Sequence, residues 1–275
     1  MPDRLTKNRL CLHTVTTKPW SLEECCRHYA GAGIAHITVW RNVLEGIALP
    51  RARKLFADHG LAVAALCRGG FFASSEASQR RAALADNRLA LEQAAAIGAP
   101  TLVLVCGADP GQSLDDSRHQ IRDGIAAILP AAESLGVVLA IEPLHPMYAG
   151  DRSAVVTLAQ ANDLAQFFDS PWAGVALDVY HVWWDPALQQ EMERCAKAGF
   201  LRSFHVSDWK TPTADLLNDR GLMGEGCIPL RSLREQAEAN GFRGPVEVEI
   251  FSTEYWKLDQ EIWLQWIIEA YIEHC

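Results

Sequence analysis

The chain has 275 residues and a formal charge of −9 at pH 7, from 25 Lys+Arg against 34 Asp+Glu, with 49% hydrophobic and 21% charged residues. This composition buries a substantial core and excludes disorder as the main theme. The acidic balance speaks against a binder of phosphate backbones, which needs a basic face, so nucleic acid is not an expected partner.

Residues 1–10 hold no apolar stretch of signal-peptide length, and no later run is long enough to cross a bilayer, so a soluble, cytoplasmic protein with no membrane partner is expected. The eight cysteines include no C-x-x-C pair and lie mostly in apolar segments, which reads as reduced, buried thiols.

Short Val-, Ile- and Leu-rich runs alternate with longer amphipathic segments along the whole chain. A first strand is expected over 10–15. Ser21-Leu-Glu-Glu24 then fits a capping box, and Gly33 closes the helix it opens. Strand two is expected over 35–40, with Gly60 ending the following helix, and strand three over 61–67, with Gly98 in the same role. Strand four follows over 101–106 and Gly136 ends its helix; strands five, six and seven are expected over 137–142, 174–178 and 201–205. Residues 207–229 form the longest irregular stretch, a functional loop by its length. Gly241 ends the next helix, strand eight is expected over 246–250, and the last helix carries the apolar run 262–268, a candidate surface for a second subunit in a homo-oligomer. Eight βα units averaging about 34 residues suit one closed (β/α)8 TIM barrel, a single α/β domain over 1–275. The open doubly wound alternative lacks a Gly-x-Gly-x-x-Gly after the first strand.

Active sites of such barrels form at the carboxyl ends of the strands. Strand five ends in Glu142, strand six in Asp178, strand seven in His205, and strand eight carries Glu249, with separations of 36, 27 and 44 residues. Three carboxylates and one imidazole make an oxygen-rich site for one divalent metal ion, favouring Mn2+, Mg2+ or Co2+ over a thiolate-selected Zn2+. Glu247 alternates with Glu249 on the same strand and should face the same way; Glu249, nearer the carboxyl end, is preferred.

The runs Ala140-Ile-Glu-Pro-Leu-His-Pro146, Leu177-Asp-Val-Tyr-His-Val-Trp-Trp-Asp-Pro186, Phe204-His-Val-Ser-Asp-Trp209, Gly224-Glu-Gly226 and Val246-Glu-Val-Glu-Ile-Phe-Ser252 resemble the xylose isomerase-like TIM-barrel superfamily. The resemblance is to its sugar phosphate isomerase/epimerase branch, with the ketose 3-epimerases and hydroxypyruvate isomerase-like proteins, and it is strongest over the last four strands. It implies a single divalent metal on Glu142, Asp178, His205 and Glu249, with Mn2+ first and Mg2+, Co2+ or Zn2+ as alternatives. It also implies that Glu142 and Glu249 are the catalytic acid/base pair, and that His181 and Arg220, four residues before Gly224, contact substrate oxygens.

A carbonyl and its neighbouring hydroxyl can chelate one metal, which stabilises the enediolate formed when the α-proton leaves. Return of the proton to the opposite face epimerises; return to the neighbouring carbon isomerises an aldose and a ketose. A sugar or polyol is thus the expected small-molecule partner. His13, Trp40, Arg41, Arg68 and His145 fall at strand ends where they could reach its hydroxyls or an anionic group, and Arg152 is a further candidate anion contact. Asp208 is a candidate to orient His205 or Lys210, and Trp183, Trp184, Trp209, Trp256, Phe71 and Phe72 are candidate pocket walls. Apurinic-site endonucleases of the same superfamily need extra histidines where this chain has Trp40-Arg41, Arg68-Gly69 and Asp219-Arg220-Gly221. A lyase or dehydratase acting on a keto-sugar, keto-inositol or glycoside would use the same metal and base, and a non-catalytic sugar-binding protein is a third reading, disfavoured by the intact glutamates.

Overall fold

A computed structural model describes residues 6–275. Eight parallel strands close into a barrel: β1 (Leu10–His13), β2 (His36–Trp40), β3 (Ala62–Gly70), β4 (Thr101–Val105), β5 (Val138–Glu142), β6 (Ala173–Asp178), β7 (Leu201–Val206) and β8 (Val246–Val248), each beside its sequence neighbour and β8 against β1. All eight expected strands and the TIM-barrel architecture are present. The connecting helices include α1 (Leu22–Gly31), α2 (Leu49–Asp58), α3 (Ala77–Ile97), α4 (Leu114–Leu135), α5 (Leu158–Phe168), the single turn α6 (Val179–Val182), α7 (Leu188–Lys197), α8 (Leu230–Ala239) and α9 (Gln260–His274). No helix among the described residues is long and apolar enough to cross a membrane.

Local chemistry sets the helix ends. Ser21 Oγ accepts the Glu24 amide while the Glu24 carboxylate accepts the Ser21 amide, so the box satisfies two amides that the helix leaves free. Gly98 and Gly136 end α3 and α4 in the left-handed region, where a side chain would be strained.

The pleat sorts side chains by size. On β5 and β6, Leu139, Ile141, Val175 and Leu177 join the large apolar layer under the helices, whereas Ala140 and Ala176 belong to a small cluster inside the barrel with Ala65, Cys67 and Val103. Glu142 and Asp178 stand two residues beyond those alanines and therefore share their inward direction; His205 follows Ser203, and Glu249 follows Glu247, by the same step. The interior is thus floored with small side chains, with the candidate ligands gathered toward the carboxyl end.

One expectation about an outlying residue is corrected. Phe72 is buried against Gly124 of α4, where an added Cβ would meet its ring at 2.4 Å, so it packs between α3 and α4 and does not wall the pocket at the barrel mouth. The 207–229 segment is partly ordered by a short antiparallel ladder of Asp208–Trp209 with Arg220–Gly221. Seven of the eight cysteines are buried and none is paired; Cys227 is exposed. Ile262 and Trp266 leave apolar surface exposed on α9.

Candidate metal centre at the barrel mouth

Glu142, Asp178, His205 and Glu249 bring one ligand atom each to within 4.8 Å of one another, and all four side chains are buried. Glu142 Oε1 and His205 Nδ1 lie 3.1 Å apart, yet neither is satisfied by a hydrogen bond. Buried polar atoms left without partners are costly. These orphaned atoms of Glu142 and His205, beside the carboxylate oxygens of Asp178 and Glu249, are what a divalent cation would satisfy, so the residues fit such an ion.

Arg220 closes one side. Its Nη1 donates to Asp178 Oδ2 at 2.8 Å and to Glu249 Oε2 at 3.0 Å, and its Nη2 meets His181 Nε2 at 3.1 Å. The guanidinium is 3% exposed and lies over the Tyr180 and Phe251 rings. Burial and the Arg220 charge hold His181 well below the ordinary imidazole range, so the neutral ring accepts from Arg220. The strand-seven ladder presents this arginine, since Arg220 pairs with Trp209.

The inner side holds a network that sequence reasoning did not assemble. His13 is fully buried with Nδ1 at 2.8 Å from Glu249 Oε1 and Nε2 at 3.3 Å from Glu247 Oε2. Glu247 Oε2 also accepts from Thr38 Oγ1 at 2.5 Å and lies 3.8 Å from His205 Nε2. Glu247 on β8 and Glu249 just beyond its end both face inward as expected, Glu249 toward the other three candidate ligands and Glu247 one layer deeper. The only signal for this in the sequence is the Val-Glu-Val-Glu alternation, which does not say what a second carboxylate would meet.

These contacts set the charges. Burial would lower the His13 pKa, but Glu249 and Glu247 raise it to about 9. Burial would raise the Glu249 carboxyl, but His13 and Arg220 hold it well below the usual carboxylate range. Glu142 is raised by burial, only partly offset by His205. The two glutamates therefore sit in environments that push their proton affinities apart.

The remaining expected site residues divide. His145 stands at the mouth, half-buried, its Nδ1 accepting the Met147 amide and its ring 4.9 Å from Trp209 and 5.7 Å from Trp184. Arg68 is also half-buried at the mouth, over Phe71. His13, an expected substrate contact, turns both ring nitrogens to the carboxylates of Glu247 and Glu249. Trp40 Nε1 lies 3.3 Å from His13 Nδ1, and Arg41 is drawn outward to Asp86 and Gln93. Asp208 orients neither His205 nor Lys210: its carboxylate accepts the amides of Trp209, Gly224 and Ile228, organising the loop, and Lys210 pairs with Asp219. Tyr148, unmarked in sequence, places its ring 5.7 Å from His181 and donates its hydroxyl to the Leu216 carbonyl, joining two mouth loops.

Comparison with known proteins identifies the fold and the family. A protein from Sinorhizobium meliloti 1021 of known structure is 43% identical, with a TM-score of 0.95 over 98% of this chain and 99% of that one. The IolI protein, solved with a bound zinc atom, is 21% identical, with a TM-score of 0.84 over 96% and 97% of the two chains. An inosose isomerase of Bacillus velezensis is 25% identical over 92% of each chain. The family model described as xylose isomerase-like TIM barrel matches residues 21–269. The chain belongs to the xylose isomerase-like TIM barrel family.

Proposed function

We propose that the chain is a divalent-metal-dependent isomerase or epimerase that moves a proton beside the carbonyl of a keto-sugar or keto-polyol. The observation that carries this reading is the convergence of Glu142, Asp178, His205 and Glu249, buried and within 4.8 Å of one another, with two glutamates of opposed proton affinity in the set. Membership of the family and likeness to an inosose isomerase support it.

A divalent ion bound by these four residues supplies a Lewis acid for a substrate carbonyl; three oxygen ligands and one nitrogen suit Mn2+, and the zinc of the IolI structure is in keeping with the same donor set. Glu249, kept ionised by His13 and Arg220, is the base that takes the proton, and Glu142, whose carboxyl favours the protonated form, is the group that gives one back. Arg220 and the neutral His181 stand together to hold a substrate oxygen.

The test is NMR in D2O with Mn2+ over ketoses, keto-inositols, their phosphates and keto-glycosides. Deuterium next to the carbonyl at conserved mass is expected, abolished by Glu249→Gln, which removes the base, and lowered by Glu142→Gln in a folded variant. Loss of water or an aglycone moves the assignment to a lyase. Exchange unchanged in Glu142→Gln overturns the acid/base assignment.

A further inference from the structure

Two guanidiniums at the mouth take no part in the chemistry above. Arg68 lies at a register shift between Cys67 and Gly69 on β3, and such bulges re-aim a side chain. Its guanidinium carbon is 4.2 Å from the Phe71 ring centroid, and that of Arg152 is 5.5 Å from the Tyr148 ring centroid. Phe71 and Tyr148 belong to one apolar cluster with Val105 and Leu144, so the two cations share a wall. Among the described residues neither arginine has a carboxylate oxygen within 4.0 Å. Arg41 differs, since both of its terminal nitrogens are engaged by Asp86.

The backbone is built to hold these positions. Asn87, fully buried on α3, accepts the Gly70 amide at 2.6 Å and donates to the Gly70 carbonyl at 2.7 Å. Phe71 adopts φ 55°, a left-handed conformation that side chains rarely take and that persists only where surroundings impose it. Gly107 lies so close to this turn that a Cβ would stand 2.8 Å from the Phe71 Cα, and its amide donates to the Arg152 carbonyl at 2.8 Å. One glycine therefore stitches the Arg68 turn to the Arg152 segment. Arg68 also lines a cavity of about 480 Å³ with Trp40, Cys67 and Phe71, whose single carboxylate, Asp86, is neutralised by Arg41.

Two like charges held without counter-ions against a shared aromatic wall are a receptor for an anion. Its distance from the reacting centre is set by the ring of Tyr148, which lies between Arg152 and His181, itself 3.6 Å from Asp178. We propose that Arg68 and Arg152 form an anion subsite, so that the substrate is a keto-sugar or keto-polyol bearing a phosphate or carboxylate at the end remote from its carbonyl. This rests on the isomerase reading for the reacting end only.

The experiment is calorimetric titration of the full chain, loaded with Mn2+, with three probes of one skeleton: glucitol, glucitol 6-phosphate and gluconate. At least one anionic probe is expected to bind tenfold or more tighter than glucitol. Arg68→Gln and Arg152→Gln, which keep most of the stem, should each remove most of that advantage, and Arg53→Gln, on the exposed face of α2, should keep it. A preference for the phosphate alone identifies a sugar phosphate; a preference for gluconate alone identifies a sugar acid. Equal binding of all three probes, no binding of any, or an advantage that survives both substitutions overturns the subsite. None of these readouts depends on proton exchange, so failure here and failure of the Glu142→Gln test are separately visible.

Discussion

Replacing Glu247 by Gln tests whether the inner network serves the candidate metal centre. The carboxylate, 1% exposed, faces three groups: the Thr38 hydroxyl at 2.5 Å, His13 Nε2 at 3.3 Å and His205 Nε2 at 3.8 Å. An amide keeps one acceptor oxygen but turns a donor toward one of the imidazoles, so the ring of His205 loses the anion behind it. Loss of such outer partners typically weakens metal binding ten- to a hundredfold. The contact to His205 is the longest of the three, which places the expectation at the lower end, about tenfold or 1.4 kcal/mol. Competition between the protein and a fluorescent chelator for Mn2+ measures it, with circular dichroism showing that the variant is folded. Affinity within twofold of the parent would refute the reasoning.

Three further outcomes follow from features already described. In the metal-free protein His13 has a raised folded-state pKa of about 9 against an ordinary 6.5, so its stabilisation is complete below pH 6.5 and is lost as pH rises through 9, about 3 kcal/mol in all; chemical denaturation in chelator across that range should show the decline, and His13→Asn should flatten it. Asn87→Ala removes both partners of the buried Gly70 backbone and should cost about 1–3 kcal/mol, with faster hydrogen exchange at residues 70–72. Ser21→Ala breaks the capping box of α1 at about 1 kcal/mol, read as a lower denaturation midpoint with unchanged metal affinity.

The barrel was legible because its signals are local. Runs such as 101–106 and 137–142 are apolar on both faces, as strands buried between interior and helices must be, and left-handed glycines end the helices. Glu142, Asp178 and His205 were legible for the same reason, each closing an expected strand, whereas Glu249 was picked out from the Val-Glu-Val-Glu alternation by its place nearer the carboxyl end. What the sequence hid depends on barrel register. His13 meets Glu247 only because β1 lies beside β8, a pairing between residues more than 200 positions apart. Asp208 looked like a neighbour of His205 in sequence, but the turn after β7 sends its carboxylate to loop amides instead.

Charge counting across the inner end of the barrel shows what the network of His13 and Arg220 does. Four carboxylates, Glu142, Asp178, Glu247 and Glu249, face two cations, so with the carboxylates ionised and the His205 ring neutral, as a metal ligand must be, the cluster carries a net charge of −2. Burial raises the carboxyls of Glu142 and Asp178, so without an ion the deficit is met by protons. Protons and a divalent ion then compete for one electrical vacancy. Ion uptake should release protons in exchange, and a monovalent cation would leave the vacancy half filled.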